Sequence, residues 1–203
     1  MMIISLNDDN MKLTQEKTYK VVKEILAGKT FRQLEISRST GVSFGQVNKV
    51  VNWLVELGYV TKGKEGYSLR GAVAIVNIFP LYRQMKNLLI GELSIDIDNK
   101  QLIDALKRNK GALCLTSALQ EYDSYYRDSA VRVYGDDKLL KELGDYEKGN
   151  TKIEIYRDDI GNERDMVNKE GIPATDEIRT VIDLYCSSFA YASDRLVRRL
   201  WMK

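Results

Sequence analysis

Histidine is absent from this 203-residue chain. That absence removes every Ser-His-Asp and Cys-His mechanism, along with the commonest general base. Cysteine is scarce, Cys114 and Cys186 being the only two. They cannot by themselves assemble a structural zinc site of the usual four ligands. A reduced thiol pair is expected of them in a cytosolic protein, with a single disulfide as the alternative. No metal and no cofactor is expected. Only two prolines occur and no low-complexity tract interrupts the chain, which argues against disorder. Long apolar runs are missing as well: the longest, Ala72 to Leu81, contains Asn77 and is broken by Pro80. A membrane span needs about 18 apolar residues. The opening Met1 to Asn10 turns acidic where a signal peptide carries a basic flank. A cytoplasmic protein with no membrane partner is predicted.

What remains is an ordinary globular mixture, 44% apolar and 30% charged, able to bury a core. The net charge of +2 is divided unevenly. Residues 1–70 carry 11 Lys/Arg against 7 Asp/Glu, and residues 71–203 carry 20 against 22. The positive excess sits in the N-terminal third, where it favours a polyanion.

That third has a legible order. Thr14 is the expected N-cap of a first helix whose apolar residues Val21, Val22, Ile25 and Leu26 share one face; Gly28 ends it. Thr30 opens the next unit. Within Ile36 to Ser43, Ser37 is small enough for a helix crossing and Gly41 permits a sharp turn. Val42 supplies an apolar contact, and Ser43 an N-cap for the following helix. The third helix buries Val47, Val50, Val51, Leu54 and Leu57 and leaves Phe44, Gly45, Gln46, Asn48, Lys49 and Asn52 facing outward. Residues 43–55 contain no acid, as suits a surface that meets phosphates. Gln and Asn bond bidentately to adenine, and Lys serves phosphate or guanine. Tyr59-Val60-Thr61 and Tyr67-Ser68-Leu69 then form two strands around the basic turn Lys62 to Gly66.

On these residues, positions 14–69 resemble the winged helix-turn-helix domains of bacterial and archaeal transcription regulators, including the MarR-like group. The resemblance implies a recognition helix in the major groove of double-stranded DNA. Arg38, Ser43, Phe44, Gln46, Asn48, Lys49 and Asn52 would lie at or near the contact, with Lys62 and Lys64 on the wing. Phe44 has two readings, contact with a thymine methyl group or packing against Phe31.

Gly71 to Met85 is read as a connecting helix or helix pair bent near Pro80. Its apolar residues would pack inside the core, between domains, or against a second copy of the chain in a homodimer. Residues 91–203 alternate between strand-like and helix-like patterns, a mixed α/β domain. Strands are predicted near 93–97, 130–134 and 152–156, and helices near 101–106, 113–122, 137–143, 178–186 and 196–201. The predicted whole is α+β (or α/β), with a DNA-binding domain over 1–70, a connector over 71–90 and a sensing or partner-binding domain over 91–203.

Asp96 and Asp98 alternate along one predicted strand, an arrangement that holds Mg²⁺ in nucleotidyltransferases. No Gly-Ser triphosphate turn precedes them, and exposed positions on an edge strand are the ordinary explanation. A second acidic group, Glu121, Asp123 and Asp128, is interleaved with Tyr122, Tyr125, Tyr126 and Arg127. Asp158, Asp159, Gly161, Asn162 and Asp165 read as a polar loop without EF-hand spacing.

Ala112 to Tyr122, followed by a strand and then Ala174 to Tyr185, is similar to the C-terminal half of viral-defence regulators related to abortive-infection (type IV) antitoxins. Arg179-Thr180-Val181-Ile182-Asp183 matches the end of their late motif, while Ile178 stands where they have Glu. This resemblance implies a non-enzymatic, autorepressing DNA-binding regulator whose C-terminal domain docks a toxin-like or other protein. An Arg179–Asp183 pair one helical turn apart is a sufficient structural reason for those two residues. A nucleotidyltransferase-like enzyme or a partner-docking adaptor carrying a winged helix are the alternatives.

Overall fold

The computed structural model describes residues 12–160 and 165–202. Met1 to Asn10 and the Gly161–Asn162 part of the acidic loop lie outside these residues. The chain is an α+β protein that divides into two units, Met1–Tyr82 and Arg83–Lys203. The segment 71–90 read as a connector is therefore shared between them.

In the first unit, helix α1 (Glu16–Ala27) buries Tyr19, Val22, Ile25 and Leu26 along one face. It is capped by Gln15, one residue beyond the expected Thr14, because the Gln15 N–H first closes a turn onto the Lys12 carbonyl at 3.0 Å. Thr30 begins no helix: Thr30–Phe31 is strand β1, paired with Ser68 and Tyr67. Helix α2 (Gln33–Thr40) follows, and the Glu35 carboxylate accepts the Arg32 N–H at 3.1 Å. Gly41 ends α2 at φ 70°, a left-handed conformation that glycine adopts without penalty. Hydroxyl groups fix the turn that follows: Ser37 Oγ donates to the Val42 carbonyl at 2.7 Å and Thr40 Oγ1 to the Ile36 carbonyl at 2.6 Å. Helix α3 (Phe44–Glu56) buries Val47, Val50, Val51 and Leu54. Strands β2 (Val60–Lys62) and β3 (Tyr67–Leu69) complete an antiparallel sheet in the order β1-β3-β2. Helix α4 (Ala72–Val76) and a 3₁₀ turn over Phe79–Leu81, with Pro80 in its first positions, take the place of a long connector. Ala72, Ile75, Val76 and Phe79 are buried in the single chain, and Phe79 meets Tyr19 edge-on at 6.2 Å between ring centroids. These four residues are thus core and offer no apolar face to a second copy.

The second unit is built on a six-stranded mixed sheet. Its strands are β4 (Leu89–Ile95), β5 (Ala112–Leu113), β6 (Ala130–Tyr134), β7 (Thr151–Tyr156), β8 (Met166–Lys169) and β9 (Ile172–Thr175). The order is β4-β7-β6-β5-β9-β8, with β6/β7 and β5/β9 parallel and the other pairs antiparallel. The helices are α5 (Asn99–Arg108), α6 (Leu115–Gln120), α7 (Asp137–Gly144), α8 (Glu177–Tyr185) and α9 (Asp194–Trp201). Glu170 and Gly171, at φ 53° and 90°, make the two-residue turn between β8 and β9.

Because side chains alternate along a strand, the sheet has two different faces. Ile95, Val133, Ile153 and Ile155 pack with Leu102 and Leu106 of α5 and Leu139 and Leu143 of α7 as the apolar core. The interleaved residues Arg132, Tyr134, Glu154 and Tyr156 point the other way and are also buried. Among the described residues, no helix is long and apolar enough to cross a membrane.

Candidate nucleic-acid interface

Helix α3 turns Val47, Val50, Val51 and Leu54 inward. At 3.6 residues per turn, that leaves Gly45, Lys49, Asn52 and Glu56 opposite the core, and all four are exposed. Ser43 and Arg38 are exposed at the same end of the helix pair. Ser43 holds the N-cap position as expected, but its side chain makes no capping hydrogen bond.

Two of the expected base-reading residues behave differently. Gln46 is half-buried, and its Nε2 reaches Thr18 Oγ1 of α1 at 3.5 Å. Asn48 is half-buried too, and its Oδ1 accepts from Gln33 Nε2 of α2 at 3.1 Å. Two residues apart on a helix means about 200° of rotation, so Gln46 and Asn48 occupy opposite flanks of α3. They brace α3 against its neighbours, and the open face between them belongs to Lys49 and Asn52. Phe44 is 50% exposed. Its suggested core partner is otherwise engaged, since Phe31 stacks on Tyr67 with centroids 5.6 Å apart.

The β2–β3 hairpin holds Lys62 and Lys64 in solvent. Its turn closes through Gly63 N–H to the Gly66 carbonyl at 2.7 Å, and Arg32 Nε donates to the Glu65 carbonyl at 3.1 Å. Arg32 thereby ties the hairpin to the start of α2. That tether is invisible in the sequence, where Arg32 and Glu65 are 33 positions apart. Among the described residues, no carboxylate lies within ion-pair distance of Arg38, Lys49, Lys62 or Lys64.

In the second unit, several of the acidic candidates have structural partners. Strand β4 lies at the sheet edge but ends at Ile95, so Asp96 and Asp98 stand beyond it. Asp98 caps α5, accepting the Gln101 N–H at 2.8 Å while Gln101 Oε1 accepts the Asp98 N–H at 3.0 Å. Asp128 and Glu154 pair with Arg132, whose guanidinium also lies 4.3 Å from the centre of the Phe189 ring. Burial opposes ionisation of Asp128, but the Ala130 N–H and the Arg132 guanidinium outweigh it and hold the carboxyl below its ordinary value. Among the described residues, no group of three or more Cys, Asp or Glu could hold a metal ion.

A buried polar cluster joins residues that the sequence keeps far apart. Asp183 accepts from Arg83 Nη1 at 2.7 Å, Arg179 Nε at 2.8 Å and the Tyr134 hydroxyl at 2.8 Å. The Tyr134 hydroxyl in turn accepts from Arg83 Nη2 at 2.7 Å and Arg179 Nη2 at 2.9 Å. Burial pushes this hydroxyl well above its ordinary pKa, so it stays a neutral donor. Asp159 and Asp158 close the outer side, 2.9 Å from Arg83 Nε and 3.0 Å from Arg179 Nη2. The expected Arg179–Asp183 contact is present. Arg83, Tyr134 and the Asp158–Asp159 contribution had no periodic signal that could have joined them to it.

No protein-family model matches the chain, and no curated protein and no solved structure is significantly similar to it.

Proposed function

We propose that the first unit is a winged helix-turn-helix that binds double-stranded DNA, and that the protein is a transcription regulator. The carrying observation is where the exposed cations Arg38, Lys49, Lys62 and Lys64 stand, on α2, α3 and the β2–β3 hairpin, with no carboxylate partner among the described residues. They accompany an α3 face on which Lys49 and Asn52 stand clear of the core. In this reading α3 enters the major groove and Asn52 offers amide chemistry suited to adenine. Lys49 and Arg38 contact phosphate, and the β2–β3 hairpin is the wing.

Each phosphate neutralised by a cation steepens the salt dependence of log K by about 0.9 on duplex DNA. Fluorescence anisotropy with a labelled mixed-sequence duplex, titrated across salt, tests the assignment. Wild-type protein should bind at low salt, and Lys49→Ala should flatten the slope by about one. Absence of binding at low salt, or a slope unmoved by Lys49→Ala, would defeat the reading.

A second reading assigns the second unit to protein docking, as in an antitoxin-like regulator. Its support is a surface of interface character: Tyr125 is 81% exposed with the Arg195 guanidinium 4.5 Å from its ring centre, and Tyr191 is 73% exposed. Tyr and Arg are enriched among the residues that dominate binding energy.

A further inference from the structure

Most glycines of this chain are explained by the fold itself. Gly41 and Gly58 have φ of 70° and 75°. At Gly111, Gly135 and Gly149 an added Cβ would come within 2.8, 2.3 and 2.4 Å of neighbouring atoms. Gly45 has neither reason. It is the second residue of α3, outside the left-handed region, and a Cβ built there meets nothing within 4 Å, as at Gly144 near the end of α7. Glycine weakens a helix relative to alanine, so the fold alone would favour alanine at this position. Gly45 also lies on the face of α3 opposite the core, one turn before Lys49 and two before Asn52.

We propose that Gly45 is the point at which α3 comes closest to DNA, its missing side chain letting the helix backbone lie against the wall of the groove. Lys49 and Asn52 can then reach phosphate and base edges without spanning the thickness of a side chain. Gly45 is thus a positioning residue; the inference rests on the DNA-binding reading above.

The test compares wild type, Gly45→Ala and the control Gly144→Ala. Gly144 is another exposed helical glycine with nothing within 4 Å of its added Cβ, but it lies in the second unit. Thermal melts are paired with anisotropy titrations on a fluorescent mixed-sequence duplex of about 30 base pairs at low salt. Gly45→Ala should melt at or above the wild-type temperature yet bind about tenfold more weakly, the cost of overpacking a close contact by one methyl group. Gly144→Ala should bind as wild type does. Gly45→Ala binding at wild-type strength overturns the proposal while leaving DNA binding intact. A lowered melting temperature overturns it too, because the fold would then require the glycine. If wild-type protein fails to bind, it is the DNA reading that falls, and this inference with it.

Discussion

Replacing Asp183 by Asn keeps the side chain's size and removes one charge from the centre of the buried cluster. Asp183 is wholly buried and accepts three hydrogen bonds, from Arg83, Arg179 and Tyr134. Breaking a buried ion pair on one side costs roughly 3–5 kcal/mol, because the partner charge is left uncompensated. Here the cost should fall near the lower end, about 3 kcal/mol, since Arg83 retains Asp159 at 2.9 Å and Arg179 retains Asp158 at 3.0 Å. For a unit of this size, 1 kcal/mol moves the melting temperature by about 4 °C, so the variant should melt roughly 12 °C lower. Urea unfolding followed by circular dichroism, with calorimetry for the midpoint, measures both. The double variant Arg179→Met with Asp183→Leu removes a cation and an anion together and should cost less than the sum of its single replacements. A loss below about 1 kcal/mol for Asp183→Asn, or strict additivity in the cycle, would refute the view that this cluster is a coupled, charge-compensated core.

Two further outcomes follow from the second unit. Asp128 titrates below its ordinary value in the folded protein. Its contribution to stability is therefore present above the unfolded carboxylate pKa of about 3.9 and is lost as pH falls through the lower, folded value. Asp128→Asn should flatten the acid limb of the stability–pH curve, and an unchanged limb measured by urea titration at each pH would contradict this. Cys114 and Cys186 are free and buried, with burial pushing the Cys114 thiol well above its ordinary value and the Cys186 thiol up to about 11. Neither should react with a thiol-specific disulfide reagent near pH 8 until urea unfolds the chain; stoichiometric labelling of the native protein would count against the packing described.

The parts of the fold visible in the sequence were those governed by local rules. The buried stripe Val47, Val50, Val51 and Leu54 follows the helical period, and Gly41 marks a turn that needs a left-handed residue. Strand β6 and helix α7 lie where period and turn residues place them. The missed strands β1, β5, β8 and β9 have two to four residues each, too short for alternation to register, and they exist because a distant partner completes them. Helix α2 began late for that reason: Thr30 and Phe31 were already committed to β3. The polar face of the large sheet was hidden differently. Arg132 and Glu154 read locally as solvent-facing residues of half-buried strands, and only the pairing of β6 with β7 sets Arg132 beside Glu154.

The candidate site shows the same limit at the level of single side chains. A helix that lacks acid until its last residue can be recognised by composition, but which of its polar residues are available depends on what packs on either flank. Gln46 and Asn48 are taken up by Thr18 and Gln33, contacts that no spacing within α3 could announce. Net charge is a still poorer guide than composition, because it does not say which cations are already satisfied. In the second unit, exposed arginines lie beside carboxylates: Arg108 with Glu142, Arg195 with Asp123, Arg198 with Asp194 and Arg199 with Glu177. Such surface pairs add little to stability, yet a polyanion must displace the carboxylate before it gains the cation. Arg38, Lys49, Lys62 and Lys64 present no such competitor among the described residues. Lys100, Lys110, Lys141 and Lys148 of the second unit are exposed without one too. A polyanion's choice between the units would therefore rest on how such cations are placed, and in the first unit they accompany the open face of α3.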